Sequence, residues 1–292
     1  MTQTVAERWA ASRSYHHSLY PSGRIASERT QSISVCLPAR ECAATVERMV
    51  EALLALRAER AIDEVVVVDA ASPDGTAELA ERAGAVVRQE SELMPAQGPV
   101  LGKGDAMWRA LSVLAGELVC FLDADTEGFS PHFATGLIGP LVCEPGVSFV
   151  KAFYRRPFSQ GGVEEPEGGG RVNHLMARPA LALFYPELAG IRQPLAGEVA
   201  ARRELLETLP FATGYGVETA MLIDVWREAG LEAIAQVDLD EHRNRHQPLS
   251  ALSPMAATVL ATIAHRLEQE GRLQPVGGAP LERPPLASVT IA

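Results

Sequence analysis

Short apolar runs alternate with segments of helical periodicity through the first half of the chain. The runs that predict buried strands lie at residues 32–38, 64–69, 85–87 and 118–122. The helical spacing of apolar side chains lies between them, at residues 43–58, 76–83 and 104–115. Strands that alternate with helices form a parallel sheet with helices on both faces. We therefore predict an α/β fold with a mostly parallel, Rossmann-like sheet.

The second half of the chain changes character and divides less clearly into strand–helix units. Further strands are predicted at residues 147–151 and 233–239, and further helices at 171–184, 217–230 and 251–269. Residues 158–170 read as a glycine-rich loop. The predicted parts are an N-terminal arm that packs on the core (1–31), the sheet region (32–155), a second region (156–270) and a loose tail rich in proline and glycine (271–292).

Composition excludes several classes of protein. A net charge of −11 and 5% aromatic residues argue against a nucleic-acid or anionic-membrane partner. Four scattered cysteines form neither a disulfide scaffold nor a CxxC zinc motif. No run approaches the roughly 20 apolar residues of a membrane span, and residues 1–20 show no apolar signal core. We expect a cytoplasmic protein.

Lysine is rare in this chain, so its positions are informative. Of 26 basic residues, only Lys103 and Lys151 are lysine. Lys103 stands between Gly102 and Gly104 just before a predicted helix, where an ammonium suits a phosphate or carboxylate contact. For Lys151, at the end of a strand, a functional role and a leftover surface position are equally compatible with the sequence.

The segment Asp123-Ala124-Asp125 follows the fourth predicted strand. In an extended segment, residues i and i+2 point the same way, so both carboxylates would project from the carboxyl edge of the sheet. Two such carboxylates suit a divalent ion that also holds a diphosphate. A capping pair before the helix at Pro131 is the alternative, and the position after a buried strand favours the metal.

Two further segments indicate ligand contacts. Asp69 ends the second strand, where a carboxylate can bind a base or ribose. The loop after the first strand, 37–42, contains no glycine, which argues against a nicotinamide or flavin enzyme. Residues 168–170 are glycines before Arg171 at a predicted helix start, a pattern typical of an anion site. A flexible surface loop is the other interpretation.

The segment His242-Arg243-Asn244-Arg245-His246 concentrates positive groups in an acidic chain. One histidine could complete a metal site, although a solvated basic loop is the simpler alternative. Tyr215 and Glu218 suit sugar hydroxyls, and a capping role for Glu218 fits equally well. The remaining histidines have no partner pattern and are expected to be structural or at the surface: His16, His17, His132, His174 and His265.

An ordered series of short motifs runs through residues 32–265. It consists of LPARE, VDAASPDGT, GKGDAMWRAL, FLDAD, VKAFYRRP, GGGRVN, QPLAGE, LPFATGYGVE and HRNR. The series resembles the glucosyl-3-phosphoglycerate and mannosyl-3-phosphoglycerate synthases, retaining glycosyltransferases of the GT-A fold. The resemblance implies transfer of glucose from UDP- or GDP-glucose to the 2-hydroxyl of 3-phosphoglycerate, with Mg²⁺ or Mn²⁺. Mannosyl transfer from GDP-mannose is the alternative activity, and a non-catalytic nucleotide-sugar sensor is the alternative of another class.

The same resemblance assigns roles to residues, with the sugar nucleotide bound by 32–155 and the acceptor by 156–270. The expected donor-binding residues are Pro38, Ala39, Glu41, Asp69, Ser72, Lys103, Asp123, Ala124 and Tyr215. The expected acceptor-binding residues are Gly170, Arg171, Asn173 and Asn244. The expected catalytic residues are Lys103, Asp125 and Glu218. A homodimer is also expected.

The metal ligands implied by the resemblance are Asp125 and His242. The chain departs from the family pattern at two places. Asn173 stands where the glucosyl enzymes are expected to have threonine. The spacing of HRNRHQPL differs from the family's HRNRPL, which leaves His246 as an alternative to His242.

Overall fold

The computed structural model describes residues 3–160, 163–166, 168–243, 248–274 and 281–289. The strands in this part of the chain are β1 (Ser14–His16), β2 (Ile33–Ala39), β3 (Glu64–Asp69), β4 (Val86–Gln89), β5 (Leu118–Phe121), β6 (Phe149–Arg155), β7 (Phe158–Gln160), β8 (Val163–Glu165), β9 (Val199–Arg202), β10 (Phe211–Ala212), β11 (Ile234–Glu241) and β12 (Glu282–Arg283). The α-helices are α1 (Val5–Arg13), α2 (Ser22–Glu28), α3 (Val46–Ala58), α4 (Thr76–Ala83), α5 (Lys103–Ala110), α6 (His132–Cys143), α7 (Arg178–Phe184), α8 (Arg203–Thr208), α9 (Val217–Ala229) and α10 (Leu249–Gln269).

A mixed sheet of eight strands lies at the centre of the described chain, in the order β1–β11–β6–β9–β5–β2–β3–β4. Its strand pairs are parallel except for those made by β9, which runs antiparallel between β5 and β6. The predicted α/β fold with a mostly parallel sheet is confirmed. Strand β9 was not predicted, because its run of three small apolar residues gives little pattern.

Apolar side chains of the strands pack on both faces of this sheet. Val65 and Val67 of β3 belong to one hydrophobic cluster, with α3 and α6. Val66 and Val68 belong to the other, with α5, α9 and α10. Burial on both faces explains why this strand is apolar without alternation.

The second half contains structure that the pattern did not resolve. The glycine-rich stretch 158–170 includes the hairpin β7–β8. The helical segment that begins at Arg171 contains a π-helical part, Asn173–Ala177, before α7. The helix predicted over 104–115 begins at Lys103 and ends at Ala110.

The N-terminal arm is an integral part of the sheet. Strand β1 pairs with β11 at the sheet edge, and the Trp9 indole Nε1 donates to the Ile234 carbonyl at 3.0 Å. Tyr20 and Ile25 are fully buried. The arm therefore packs on the core and contributes an edge strand.

Residues 281–289 differ from the loose tail expected over 271–292. Strand β12 pairs with β10, and Leu286 is buried. The Arg283 guanidinium makes an ion pair with the fully buried Asp105, with Nε 2.8 Å from Oδ1. This segment is held by long-range contacts, which a proline- and glycine-rich composition does not reveal. Within the described ranges, no helix combines the length and apolar character needed to cross a membrane.

Candidate active site

Asp123 and Asp125 stand just beyond the carboxyl end of β5, in unlike surroundings. The chain turns at Ala124–Asp125, so the segment is not extended as we expected. Asp123 is half-buried and Asp125 is exposed. Loss of hydration around its carboxyl, together with the Asp123 charge, raises the pKa of Asp125 above its ordinary value. Because the chain turns here, the carboxylates of Asp123 and Asp125 can play different roles.

Lys103 forms an ion-paired cluster with Asp123 and Glu218. Its Nζ lies 2.5 Å from Asp123 Oδ1 and 3.0 Å from Glu218 Oε1. Lys103 begins α5 and Glu218 lies in the first turn of α9, so two helix starts and the end of β5 meet here. Burial alone would lower the pKa of Lys103, but the two carboxylates raise it above its ordinary value. Lys103 is therefore a fixed cation at this edge of the sheet.

Gly197 packs its backbone directly against this cluster. A Cβ at this position would collide with both carboxylate oxygens of Asp123 and with Lys103 Nζ. The absence of a side chain lets the segment before β9 cover the ion pair. Nothing in the sequence pattern around Gly197 indicates this role.

Lys151, the second lysine, lies fully buried beneath the same segment. Its Nζ donates to the Ala196 carbonyl at 2.5 Å, and it interacts electrostatically with Glu218 and Glu198. Burial, together with the Lys103 charge, lowers the pKa of Lys151 to about 8. Both lysines of the chain thus lie at one site, which resolves the alternatives for Lys151 against a surface position.

His242 is held by a buried network behind the acidic turn. Its Nε2 lies 3.0 Å from Glu198 Oε1 and 3.2 Å from the Thr126 hydroxyl. The Tyr154 hydroxyl donates to Glu198 Oε2 at 2.8 Å, and its ring stacks on the imidazole at 4.5 Å. Burial would raise the pKa of Glu198, but His242 and Tyr154 lower it, so Glu198 remains a carboxylate.

The Nδ1 atom of His242 is buried and has no hydrogen-bond partner among the described residues. A buried nitrogen without a partner is costly unless a ligand completes it. The imidazole interacts electrostatically with the Asp125 carboxyl. An imidazole nitrogen and a carboxylate oxygen form a donor set that suits a divalent metal, and the Thr126 hydroxyl and the Glu198 carboxylate lie at the other ring nitrogen. The residues present therefore fit a metal held by Asp125 and His242.

A further buried polar atom without a hydrogen-bond partner, here an oxygen, lies at the edge formed by β2 and β3. Asp69 Oδ2 accepts from the Ser72 N–H at 3.0 Å and from Gln89 Nε2 at 3.1 Å. Asp69 Oδ1 is buried and has no hydrogen-bond partner among the described atoms. The Glu41 N–H donates to the Ser72 hydroxyl at 2.9 Å, which joins the two loops. Asp69 can accept a hydrogen bond from a base or ribose.

Pro38 and Ala39 lie at the carboxyl end of β2, paired with Val68 and Asp69 of β3. Glu41 follows with a φ of +54°, so the chain turns sharply after the strand. These positions place the predicted nucleotide-binding residues on one edge of the sheet.

Three of the predicted acceptor residues, Gly170, Arg171 and Asn173, lie at the start of the helical segment after β8. Gly170 has a φ of +66°, which favours glycine, and the Arg171 guanidinium lies 4.8 Å from the Phe158 ring centroid. The Asn173 amide is engaged internally: Nδ2 donates to the Arg192 carbonyl at 3.2 Å and Oδ1 accepts from the Leu195 N–H at 3.4 Å. Asn173 thus positions the 192–195 segment, and its contact with the acceptor stays a prediction.

Tyr215 is 58% exposed and stands just before α9, three residues from Glu218. It is accessible to a ligand near the start of the helix that carries Glu218. Asn244 and His246 lie outside the described residues. The role of Asn244, and that of His246 as the alternative metal ligand to His242, therefore stay predictions.

Sequence reasoning missed the buried supporting residues Tyr154, Gly197 and Glu198. Tyr154 lies in the motif VKAFYRRP, and the other two lie in QPLAGE. Both motifs belong to the ordered series, but nothing in their composition shows that they meet at His242 and Asp123.

Comparisons with known proteins agree with this geometry. The model of glycosyl transferase family 2 matches residues 34–166. The glucosyl-3-phosphoglycerate synthase of Petrotoga mobilis is 40% identical over 267 residues, which cover 89% of this chain and 82% of that protein.

Solved structures extend the similarity to almost the whole chain. The crystal structure of mannosyl-3-phosphoglycerate synthase from Rubrobacter xylanophilus has a TM-score of 0.89 at 45% identity and covers 98% of each chain. The glucosyl-3-phosphoglycerate synthase of Mycobacterium tuberculosis, in complex with Mn²⁺, UDP-glucose and phosphoglyceric acid, has a TM-score of 0.80 at 38% identity. That match covers 91% of this chain and 94% of the other. The resemblance found in the motif series is confirmed, and the chain belongs to the glucosyl-3-phosphoglycerate synthase family of GT-A-fold hexosyltransferases.

Proposed function

We propose that this protein transfers glucose from a nucleoside-diphosphate glucose to the 2-hydroxyl of 3-phosphoglycerate, with Mn²⁺ or Mg²⁺ as cofactor. The observation that carries the proposal is the buried, unpartnered Nδ1 of His242, whose imidazole interacts electrostatically with Asp125, near the fixed cation Lys103 at the end of β5. The relatives named as glucosyl-3-phosphoglycerate synthases, one solved with Mn²⁺, UDP-glucose and phosphoglyceric acid, support the substrates.

Asp125 and His242 would hold the metal, with Glu198 orienting the imidazole through Nε2. A divalent ion bound there supplies Lewis-acid stabilisation of the diphosphate leaving group. Lys103 adds a positive charge on the other side of Asp123. An acidic chain thereby creates a local positive field for an anionic donor.

The donor nucleotide would lie along the edge formed by β2 and β3. Asp69 Oδ1 is free to accept an N–H of the base or a ribose hydroxyl. Pro38, Ala39, Glu41 and Ser72 would line the same edge. Replacement of Asp69 by Asn should raise the KM for the sugar nucleotide more than it lowers kcat.

The acceptor would lie against the segment at Gly170 and Arg171. 3-Phosphoglycerate carries a carboxylate and a phosphate, and an arginine fork at a helix start binds such groups in two-pronged fashion. Asn244 would contribute from the HRNR motif. Asn173 would act by positioning the 192–195 segment, because its amide is already engaged.

Retention of configuration would arise by attack on the same face from which the diphosphate leaves. In that step the acceptor oxygen bonds to the anomeric carbon, the bond to the diphosphate breaks, and a diphosphate oxygen takes the proton. Glu218 is the alternative, as a covalent nucleophile, but its Oε1 lies 3.0 Å from Lys103 Nζ. An ion-paired carboxylate of this kind is better suited to orienting Lys103 and the sugar than to attack.

The test of this step is Glu218→Gln, with Glu228→Gln on the exposed face of the same helix as its control. We expect reduced but measurable turnover in Glu218→Gln, and no glycosyl-enzyme in intact-mass spectra of the wild type incubated with the sugar nucleotide. A glycosyl adduct that maps to Glu218 contradicts same-face attack.

Mannosyl transfer is the second candidate. The solved mannosyl-3-phosphoglycerate synthase from Rubrobacter xylanophilus matches this chain at 45% identity over 98% of its length, which favours that donor as strongly as the curated glucosyl relatives favour theirs. One hydroxyl orientation separates the two sugars.

A donor panel decides between these activities. UDP-glucose, GDP-glucose and GDP-mannose are each incubated with 3-phosphoglycerate and Mn²⁺ or Mg²⁺, with and without a chelator. We expect the highest kcat/KM with a glucose donor, loss of transfer with the chelator, and loss in Asp125→Asn but not in Glu127→Gln. Preference for GDP-mannose establishes the alternative, and nucleotide binding without any transfer would indicate a sensor.

We further propose a homodimer. The segment Asn173–Ala177 packs on α10, and both this region and α10 expose leucines: Leu175, Leu183, Leu249 and Leu260. Apolar exposure of this kind is typical of an interface. Light scattering should give twice the chain mass, and Leu175→Glu with Leu183→Glu should give monomers, whereas Leu19→Glu should not. A wild-type monomer contradicts the proposal.

We also propose that the protein works in a reducing compartment, the cytoplasm. All four cysteines are free thiols: Cys36, Cys42, Cys120 and Cys143. Burial raises the pKa of each thiol, which keeps it protonated and unreactive. Denatured protein prepared without reductant should titrate as four thiols, and fewer would argue against the assignment.

A further inference from the structure

His16, His17 and Asp240 bring three metal-ligating side chains together where β1 meets β11. His16 Nε2 lies 3.3 Å from Asp240 Oδ1, and His17 Nε2 lies 2.7 Å from Asp240 Oδ2. Among the residues that the structure describes, this is the group in which at least three such ligand atoms fall within 4.8 Å of one another. None of the three belongs to the ligand set Asp125 and His242.

The local backbone explains why these side chains converge. Strand β1 ends at His16 and the chain enters a 3₁₀ turn at His17, so consecutive imidazoles lie on the same side with centroids 4.4 Å apart. Asp240 lies at a register shift in β11 and has a φ of +66°. A bulge of this kind re-aims a side chain, here toward the two rings.

We propose that His16, His17 and Asp240 bind a divalent transition metal of the zinc type, in addition to the active-site metal. Two imidazole nitrogens and one carboxylate oxygen are typical ligands of zinc, and a tetrahedral site with bonds near 2.0–2.1 Å separates its ligands by about 3.3 Å. The separation of His16 Nε2 from Asp240 Oδ1 already equals that value. His17 Nε2 contacts the other oxygen, Oδ2, so the Asp240 carboxylate must turn for one oxygen to serve a metal between the two rings.

The surroundings also suit such a site. The Ser18 hydroxyl lies 2.8 Å from His16 Nδ1 and can accept its proton, which leaves Nε2 for the metal. With the proton on Nδ1, this nitrogen can no longer accept from the Ser18 N–H, which lies 3.2 Å away. The His132 ring stacks on His17 at 4.1 Å, and its Nε2 lies 3.2 Å from the Leu239 carbonyl.

Access and proton balance are consistent with a metal that enters from solvent. The side chains of His16 and Asp240 are 44% and 52% exposed, and that of His17 is 17% exposed. When the metal binds, any proton on Nε2 of His16 or His17 leaves for the solvent or moves to Nδ1 of the same ring. Water can fill the remaining coordination position. The alternative is a pair of exposed His–Asp ion pairs that hold the arm without metal.

The experiment is a Zn²⁺ titration of the full chain after chelator treatment, followed by calorimetry. The wild type should bind two equivalents. Asp125→Asn with His242→Gln should keep one equivalent, and His16→Gln with His17→Gln should keep the other. His174→Gln, an exposed histidine elsewhere, should bind two. Circular dichroism at the temperature of the calorimetry confirms that each variant is folded.

Co²⁺ gives an independent readout. In the Asp125→Asn, His242→Gln variant it should produce visible absorption that disappears when His16 and His17 are also replaced. His16→Gln with His17→Gln should retain sugar transfer with Mg²⁺ within about twofold, an effect smaller than 0.5 kcal/mol. Two Zn²⁺ equivalents bound by the His16→Gln, His17→Gln variant would overturn the proposal, as would none bound by the Asp125→Asn, His242→Gln variant. Either result leaves the proposed function untouched.

Discussion

Gly197→Ala is a one-atom perturbation of the active-site ion pair. The new Cβ would lie 2.5 Å from both Asp123 Oδ1 and Lys103 Nζ, whereas ordinary contacts begin near 3.4 Å. Asp123 Oδ2 would lie nearer still, so the pair must move by about 1 Å or more, and a misplacement of about 1 Å at a catalytic site costs on the order of 100-fold in rate. That factor corresponds to about 2.7 kcal/mol of transition-state stabilisation.

The fold should tolerate this change. Gly197 is not among the residues with positive φ, so alanine fits its backbone, and Gly→Ala substitutions at compatible positions shift stability by only about 0.4–1 kcal/mol. The matched control is Gly23→Ala, whose Cβ would meet nothing within 4 Å. Steady-state kinetics with saturating metal measure kcat/KM, and thermal melts measure stability. A Gly197→Ala enzyme within twofold of the wild type, or one that is unfolded, would refute the reasoning.

Three other predictions follow from buried partners of the site and the tail. Because burial lowers the pKa of Lys151 to about 8, this lysine should lose its charge above that pH, and kcat should fall as the pH rises through 8. The Lys151→Met variant should be slow, and its kcat should not show this alkaline fall. Because the pKa of Lys151 is lower in the folded protein than its ordinary value of 10.5, the charged lysine reduces the free energy of unfolding below pH 8. Urea titrations should show this free energy rising as the pH increases from 8 toward 10.5. Tyr154→Phe removes the 2.8 Å hydrogen bond to Glu198 and should weaken Mn²⁺ binding about tenfold by calorimetry, whereas unchanged affinity would show that this bond does not support the metal site. Arg283→Ala should lower the free energy of unfolding by about 2 kcal/mol, because the buried Asp105 loses one of its partners, and a loss below about 0.5 kcal/mol would contradict this.

The sheet and its edge could be predicted because their signals are local. The run from Val65 to Val68 is apolar at every position, which indicates burial on both faces, and Asp69 follows directly at the strand end. Lysine at only two positions pointed to Lys103, and the structure places it against Asp123.

The buried supports could not be predicted because they depend on contacts between distant segments. Glu198 reaches His242 across 44 positions of the chain, and Arg283 reaches Asp105 across 178. The turn at Ala124–Asp125 also escaped prediction, since the preceding strand suggested that the extended conformation continues.

The central claim is that Asp125 and His242 hold the catalytic metal beside Lys103. The most direct measurement is a crystal structure with Mn²⁺ and UDP-glucose, with anomalous data collected at the manganese edge. We expect a peak within bonding distance, about 2.0–2.3 Å, of an Asp125 carboxylate oxygen and of His242 Nδ1, next to the diphosphate. A manganese peak bound elsewhere, with His242 Nδ1 turned away from it, would contradict the account.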